Sequence, residues 1–128
     1  MRILLDTHAL LWAVFRTNFL SARARQLIQS KRNEIFVSAA SAWEIETKYR
    51  LGKLPKAQAL VDDFVPVIRS AGYAPLAITI EHALRASRFS TDHKDPFDRM
   101  LVAQAIHEDM ALVSSDAQLD AFSVRREW

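Results

Sequence analysis

Three short apolar runs constrain this chain more than any other feature: Ile3-Leu4-Leu5, Ile35-Phe36-Val37 and Ala111-Leu112-Val113. None alternates with polar residues, so none has a face to give to water, and strands of this kind belong in a sheet covered on both sides. Segments with helical spacing separate them. His8 to Val14 follows the first run, with Thr7 as its expected cap; Ala22 to Ile28 follows Ser21; Ala39 to Leu51 follows Ser38 and closes at Gly52. Ala57 to Ser70 is helical in pattern with a kink or split expected at Pro66, Thr79 opens a helix through Arg88, and Asp95-Pro96 opens a longer one to about Asp109. Tyr73 to Ile78 and Val124 to Glu127 complete the strands, the former near an edge or at a strand start because Pro75 cannot donate to a ladder. This alternation predicts an α/β fold, a three-layer α/β/α sandwich on a largely parallel sheet. With 128 residues and neither repeat nor linker, one domain over residues 1–128 is expected. Ligands of such sheets sit beyond the carboxyl ends of the strands.

Composition removes several chemistries. The chain has no cysteine, hence no disulfide frame, thiol nucleophile or Cys-ligated metal, and its two glycines, Gly52 and Gly72, cannot build a phosphate-cradling glycine loop. The longest apolar run, Ala9 to Phe15, is too short to span a bilayer, and Asp6 interrupts the N-terminal apolar stretch before a signal-peptide core forms. A cytoplasmic protein without a membrane partner is expected. Seventeen bases against fifteen acids give a formal charge of only +2, so the placement of charge matters more than its sum.

Four acids break the apolar pattern. Asp6 directly follows the first strand and Asp116 follows the fourth after Ser114-Ser115, so a parallel sheet brings both to one edge. Glu44 shares a helical face with Ala40, Thr47 and Leu51, and Asp98 heads a stripe of Leu101, Val102 and Ala105. Each has a structural alternative: Asp6 and Asp116 can cap the helices that follow them, and Glu44 can pair with a buried arginine. Glu46 is accounted for by Arg50 four residues on, and Asp95 by an N-cap ahead of Pro96. Four converging carboxylates repel one another, however, and a divalent cation resolves that conflict. All-oxygen donors suit Mg²⁺ or Mn²⁺, ions that serve phosphoryl chemistry. Thr7, Ser114 and Ser115, together with Asp95, are candidates to steady the carboxylates or metal-bound waters from behind.

An acidic site acting on a polyanion needs bases nearby. Lys48, Arg50, Lys53 and Lys56 fall within nine residues without an intervening acid, and Arg85, Arg88, Lys94 and Arg99 surround the loop leading to Asp98. Lys48, Lys53 and Arg99 are the candidates for holding its phosphates, with a solvated face as the alternative. The four histidines show no metal or triad spacing. His82 and His107 are expected in surface or satisfied helical positions, and His8 and His93 are not expected to be obligatory catalysts.

Leu4-Leu5-Asp6-Thr7-His8-Ala9-Leu10-Leu11-Trp12, Ser41-Ala42-Trp43-Glu44-Ile45 with Lys48 and Leu51-Gly52-Lys53-Leu54, Asp95-Pro96-Phe97-Asp98-Arg99, and Leu112-Val113-Ser114-Ser115-Asp116 resemble the PIN domain, most closely the VapC-type toxins of bacterial toxin–antitoxin pairs. The resemblance covers nearly the whole chain, in order. It implies a PIN-like nuclease domain that cleaves RNA with Mg²⁺ or Mn²⁺, commonly as a homodimer, and is inhibited by a cognate antitoxin. The family's acidic positions map onto Asp6, Glu44, Asp98 and Asp116 as catalytic metal ligands. Ser114 stands where relatives often have Thr, Phe122-Ser123 where they often have Tyr-Gly, and Asp120 is a further acid near Asp116. A non-catalytic nucleic-acid- or protein-binding module of the same fold is the alternative. A phosphoaspartate receiver would want an acidic pair after its first strand, and a haloacid-dehalogenase-type phosphatase a second acid where His8 stands.

Overall fold

Leu5, the last residue of the first apolar run, lies between Val37 and Val113 in parallel register, and the sheet is built outward from it. The structure, a computed structural model, describes residues 1–128. Its strands are β1 (Arg2–Leu5), β2 (Glu34–Ser38), β3 (Ala74–Leu76), β4 (Ala111–Val113) and β5 (Arg126–Glu127), all parallel, in the order β3-β2-β1-β4-β5. The chain winds outward from β1 in one direction through β2 and β3, then returns to its other side with β4 and β5. The crevice of such a sheet opens where that direction reverses, between the carboxyl ends of β1 and β4.

Both faces of the sheet are covered, as continuous apolar strands require. Ile3, Leu5, Ile35, Val37, Ala111 and Val113 point into one core, shared with residues of α1 (Thr7–Phe15), α2 (Ala22–Gln29), α4 (Gln58–Asp62) and α5 (Phe64–Ser70). The alternate residues Leu4, Phe36 and Leu112 point into a second core, built on Leu101, Val102 and Ala105 of α7 (Pro96–His107), against which α6 (Ile80–Arg88) packs. The twelve-residue α3 (Ala39–Arg50) contributes Ile45 to the first core and Ala40 to the second.

Several boundaries differ from the sequence expectation. Asp6, not Thr7, caps α1: its carboxylate accepts from the Ala9 N–H, and Thr7 is the first helical residue. The segment from Ala57 to Ser70 breaks at Asp63 rather than at Pro66, giving a 3₁₀ turn (Pro55–Ala57), α4 and α5. A proline ring clashes with the carbonyl four residues earlier, here Asp62, so the break precedes Pro66, which sits harmlessly in the first turn of α5. The third strand is trimmed to three residues and the last to two. Gly52, at φ +78°, closes α3 through bonds from Gly52 N to Tyr49 O and from Lys53 N to Lys48 O. No helix is long and apolar enough to cross a membrane.

Candidate metal centre

Asp6 leaves β1 at the crevice, its N–H still paired to Val113 O at 3.0 Å. Its Oδ1 accepts from Ala9 N at 2.7 Å, and the side chain is buried. Burial pushes its pKa up and the charge of Asp98 adds to that, against the opposing pull of the Ser114 hydroxyl, the Ala9 amide and His8.

Glu44 reaches the site from α3. It is 4% exposed, and both oxygens are engaged: Thr7 Oγ1 donates to Oε1 at 2.6 Å and Lys48 Nζ donates to Oε2 at 2.5 Å. The i,i+4 pair of this helix is therefore Glu44–Lys48, whereas Glu46 and Arg50 form no ion pair. A buried carboxylate must find a counter-charge, and an exposed one is served by water. Thr7 Oγ1 also lies 3.1 Å from Ser41 Oγ, which ties α1 to α3 at this point.

Asp98 stands in the first turn of α7, whose N-cap is Asp95, accepting from Phe97 N and Asp98 N at 2.9 and 3.2 Å. Burial raises the pKa of Asp98; a bond from His93 opposes this, while the charges of Asp95 and Glu44 raise it further. Asp116, two residues beyond Ser114, caps a 3₁₀ turn (Ala117–Phe122) by accepting from Gln118 N, and its own N–H is held by Ser114 Oγ at 3.1 Å. Ser115 is exposed and makes no hydrogen bond through its side chain.

The ligand atoms of His93, Asp98 and Asp116 all lie within 4.8 Å of one another. Asp6 and Glu44 are not members of that grouping, but each is coupled electrostatically to Asp98. In sequence His93 is notable as the neighbour of a site acid, but it is not expected to be an obligatory catalyst and is not among the expected ligands. The donor set, mostly carboxylate oxygens whose ionisation is opposed by burial and by each other, fits a hard divalent cation.

The bases divide among different tasks. Lys48 is committed to Glu44. Arg99 is corrected from phosphate ligand to loop clamp, because its guanidinium donates to the carbonyls of Ala86, Phe89, Thr91 and His93 at 2.8 to 3.1 Å, using four of its five N–H groups. Lys53 and Lys56 flank a groove of about 480 Å³ floored by Leu11, Trp12, Phe15 and Phe19. Asp120 forms a two-bond pair with Arg126 at 2.8 and 3.1 Å.

A second grouping, His82, His107 and Glu108, also brings its ligand atoms within 4.8 Å. His82 Nδ1 accepts from Thr79 N at 3.0 Å, so the proton sits on Nε2, which faces Glu108 Oε1 at 2.9 Å. An ion on Nε2 would require the opposite tautomer and break the Thr79 bond. This cluster ties α6 to the end of α7 instead.

Similar architecture recurs in known structures. The chain is similar to VapBC2 from Rickettsia felis bound to a DNA fragment from its promoter, with TM-score 0.72 and 15% identity over 99% of this chain and 98% of that one. It is also similar to VapC20 of Mycobacterium tuberculosis, a Sarcin-Ricin loop cleaving toxin, with TM-score 0.65 and 18% identity over 95% of each. At these identities the likeness establishes the fold alone. Among curated proteins, Ribonuclease VapC16 of Mycobacterium tuberculosis is 44% identical over 64 residues, 50% of this chain and 44% of that protein, so the aligned part spans less than half the relative's length. The PIN domain family profile matches residues 3–124, a span that begins in β1 and includes Asp6, Glu44, Asp98 and Asp116. The chain belongs to the PIN domain family.

Proposed function

We propose that this protein is a Mg²⁺- or Mn²⁺-dependent endoribonuclease, the toxin of a toxin–antitoxin pair. The observation that carries the reading is the grouping of Asp98 and Asp116 with His93 within 4.8 Å, together with the charge of Asp98 raising the pKa of Asp6 and that of Glu44 raising the pKa of Asp98. The ribonuclease and toxin names carried by VapC16 and VapC20 support it.

Asp98 and Asp116 would hold the ion, with Asp6 beside them and Glu44 completing the acidic ring. When bound, a divalent ion supplies an activated water and neutralises charge on the scissile phosphate. The chain's own groups prepare the site. Thr7 and Lys48 fix Glu44, Lys48 adds a positive charge at the edge of an otherwise acidic crevice, and the Asp95 cap sets the first turn that carries Asp98.

For the antitoxin, the groove between Phe15 and Lys56 is the surface we assign. Its floor is apolar and its borders carry Arg16, Lys53 and Lys56, which matches an amphipathic segment with acidic side chains. A second copy of the chain is assigned to the face carrying Trp43, which is 63% exposed, beside Ile78, Ala83 and Phe97; sedimentation of the wild type and of Trp43→Glu, expected as dimer and monomer, tests it.

Cleavage of a synthetic RNA tests the activity. Cutting that needs Mn²⁺ or Mg²⁺, stops with a chelator and is absent in Asp98→Asn is expected. RNA left intact at every metal concentration would remove the reading in favour of a binding module.

A further inference from the structure

His93 is held on every side. Its Nε2 lies 2.8 Å from Asp98 Oδ2, and because a carboxylate oxygen only accepts, Nε2 carries the proton and donates it. The side chain is 14% exposed and edge-on to Phe122, with ring centroids 5.6 Å apart. Its N–H is bonded to Thr91 Oγ1 at 3.3 Å, and its carbonyl is one of the four gripped by Arg99. A solvated loop histidine needs none of this framework.

We propose that His93 is a positioning residue of the metal centre, donating from Nε2 to Oδ2 so that Asp98 presents its other oxygen to an ion shared with Asp116. The inference rests on the metal-nuclease reading above. Asp98 Oδ1 has no protein hydrogen bond, so it is the oxygen left for a ligand. A carboxylate free to rotate loses affinity each time it turns away, and a partner that prevents this is typically worth about 10- to 100-fold in metal binding. Arg99 and Phe122 act one step further back, fixing the backbone and the ring that make the donation possible.

Two variants separate the hydrogen bond from the packing. His93→Phe keeps a ring against Phe122 and loses the donor; His93→Gln keeps an N–H at a similar reach. Titration calorimetry with Mn²⁺ should show His93→Phe binding about 10- to 100-fold more weakly, and His93→Gln within about 3-fold of wild type. In RNA cleavage, the Mn²⁺ concentration for half-maximal rate should rise in His93→Phe by the same factor while the rate at saturating Mn²⁺ changes little. Unchanged Mn²⁺ affinity in His93→Phe overturns the proposal. So does a nitrogen coupling in the electron spin-echo spectrum of the Mn²⁺-loaded wild type that vanishes in His93→Phe, since it would make His93 a direct ligand. A wild type that binds Mn²⁺ in this His93-dependent way without cutting RNA supports the positioning role and removes the nuclease reading. One that binds no Mn²⁺ overturns both.

Discussion

Asp6 and Asp98 are carboxylates kept where ionisation is opposed, and this fixes the sign of their effect on stability. A folded-state pKa above the ordinary value of 3.8 means that the folded metal-free protein binds protons more readily than the unfolded chain does. Stability therefore falls as pH rises from that value through the raised pKa, and the penalty is complete above it. Asp6→Asn, which retains an oxygen for Ala9 N, should raise the melting temperature of the metal-free protein at neutral pH. That gain is largest above the raised pKa, shrinks as pH falls from there to the ordinary value of 3.8 and is gone below it. Mn²⁺ should raise the melting temperature of the wild type more than that of the variant; thermal scans across this pH range with and without the ion check both. Role separation gives a second expectation. Asp98→Asn should lower cleavage about 100-fold or more, because several kcal/mol of charge stabilisation depend on the ion. Asp95→Asn should lower it far less, since Asn caps as well as Asp. Single-turnover rates on one RNA decide it, and equal losses would make Asp95 a ligand. At this scale the sequence shows its acids well, because strand ends and helical stripes mark them. It hides pairings that burial decides. Glu44 and Glu46 have equally spaced bases, and only the structure shows that the buried one takes its lysine.

The helices and loops carry their own consequences. The loop from Phe89 to Lys94 has no regular ladder, and Arg99 supplies the bonds that a ladder would otherwise provide. Arg99→Lys, with one compact ammonium in place of a planar fork, should leave several carbonyls unbonded, lower stability by about 2 kcal/mol and speed hydrogen exchange in residues 89–94. Wild-type stability with weaker RNA binding would return Arg99 to the phosphate. A second expectation concerns the end of α7, where Asp109 adopts φ 54° while Asp109 N bonds Ile106 O and Met110 N bonds Ala105 O. Glycine usually fills this position, and an acid there also opposes the negative end of the helix. Asp109→Gly should stabilise the protein by about 1 kcal/mol in denaturant titrations. Helix positions were legible because caps and apolar spacing are local properties: Ser21, Ser38, Thr79 and Asp95 all cap as expected. The break at Asp63 and the cap at Asp6 were displaced because proline acts on the carbonyl four residues back and because Asp6 has its side chain within reach of Ala9 N.

At the scale of the whole molecule, alternating strands and helices fixed the layer plan, but they did not divide the surface among partners. The basic run from Lys48 to Lys56 reads in sequence as one patch suited to a phosphate backbone. In the fold Gly52 ends α3 in its middle, sending Lys48 to the acidic crevice and Lys53 and Lys56 to an apolar groove floored by Trp12, Phe15 and Phe19. RNA could use that floor only by stacking splayed bases on its aromatic rings, whereas a helix or strand of another protein buries apolar side chains along all of it and meets the lysines with acids. Replacing Lys53 and Lys56 together with alanine, and separately replacing the half-exposed Phe19 with serine, should leave Mn²⁺ affinity and RNA cleavage near wild type. Each change should weaken inhibition by the cognate antitoxin by about 10-fold or more, the consequence of losing roughly 1.4 kcal/mol at an interface anchor. Parallel titrations with the antitoxin and with a non-cleavable RNA measure the two affinities. The lysine variant should also flatten the salt dependence of antitoxin binding, because exposed ion pairs are screened, while Phe19→Ser should leave that slope unchanged. If the lysine variant instead loses RNA affinity, by a salt slope of about one per phosphate contact, and keeps its inhibition, the two bases serve the substrate and the groove is not where the antitoxin docks.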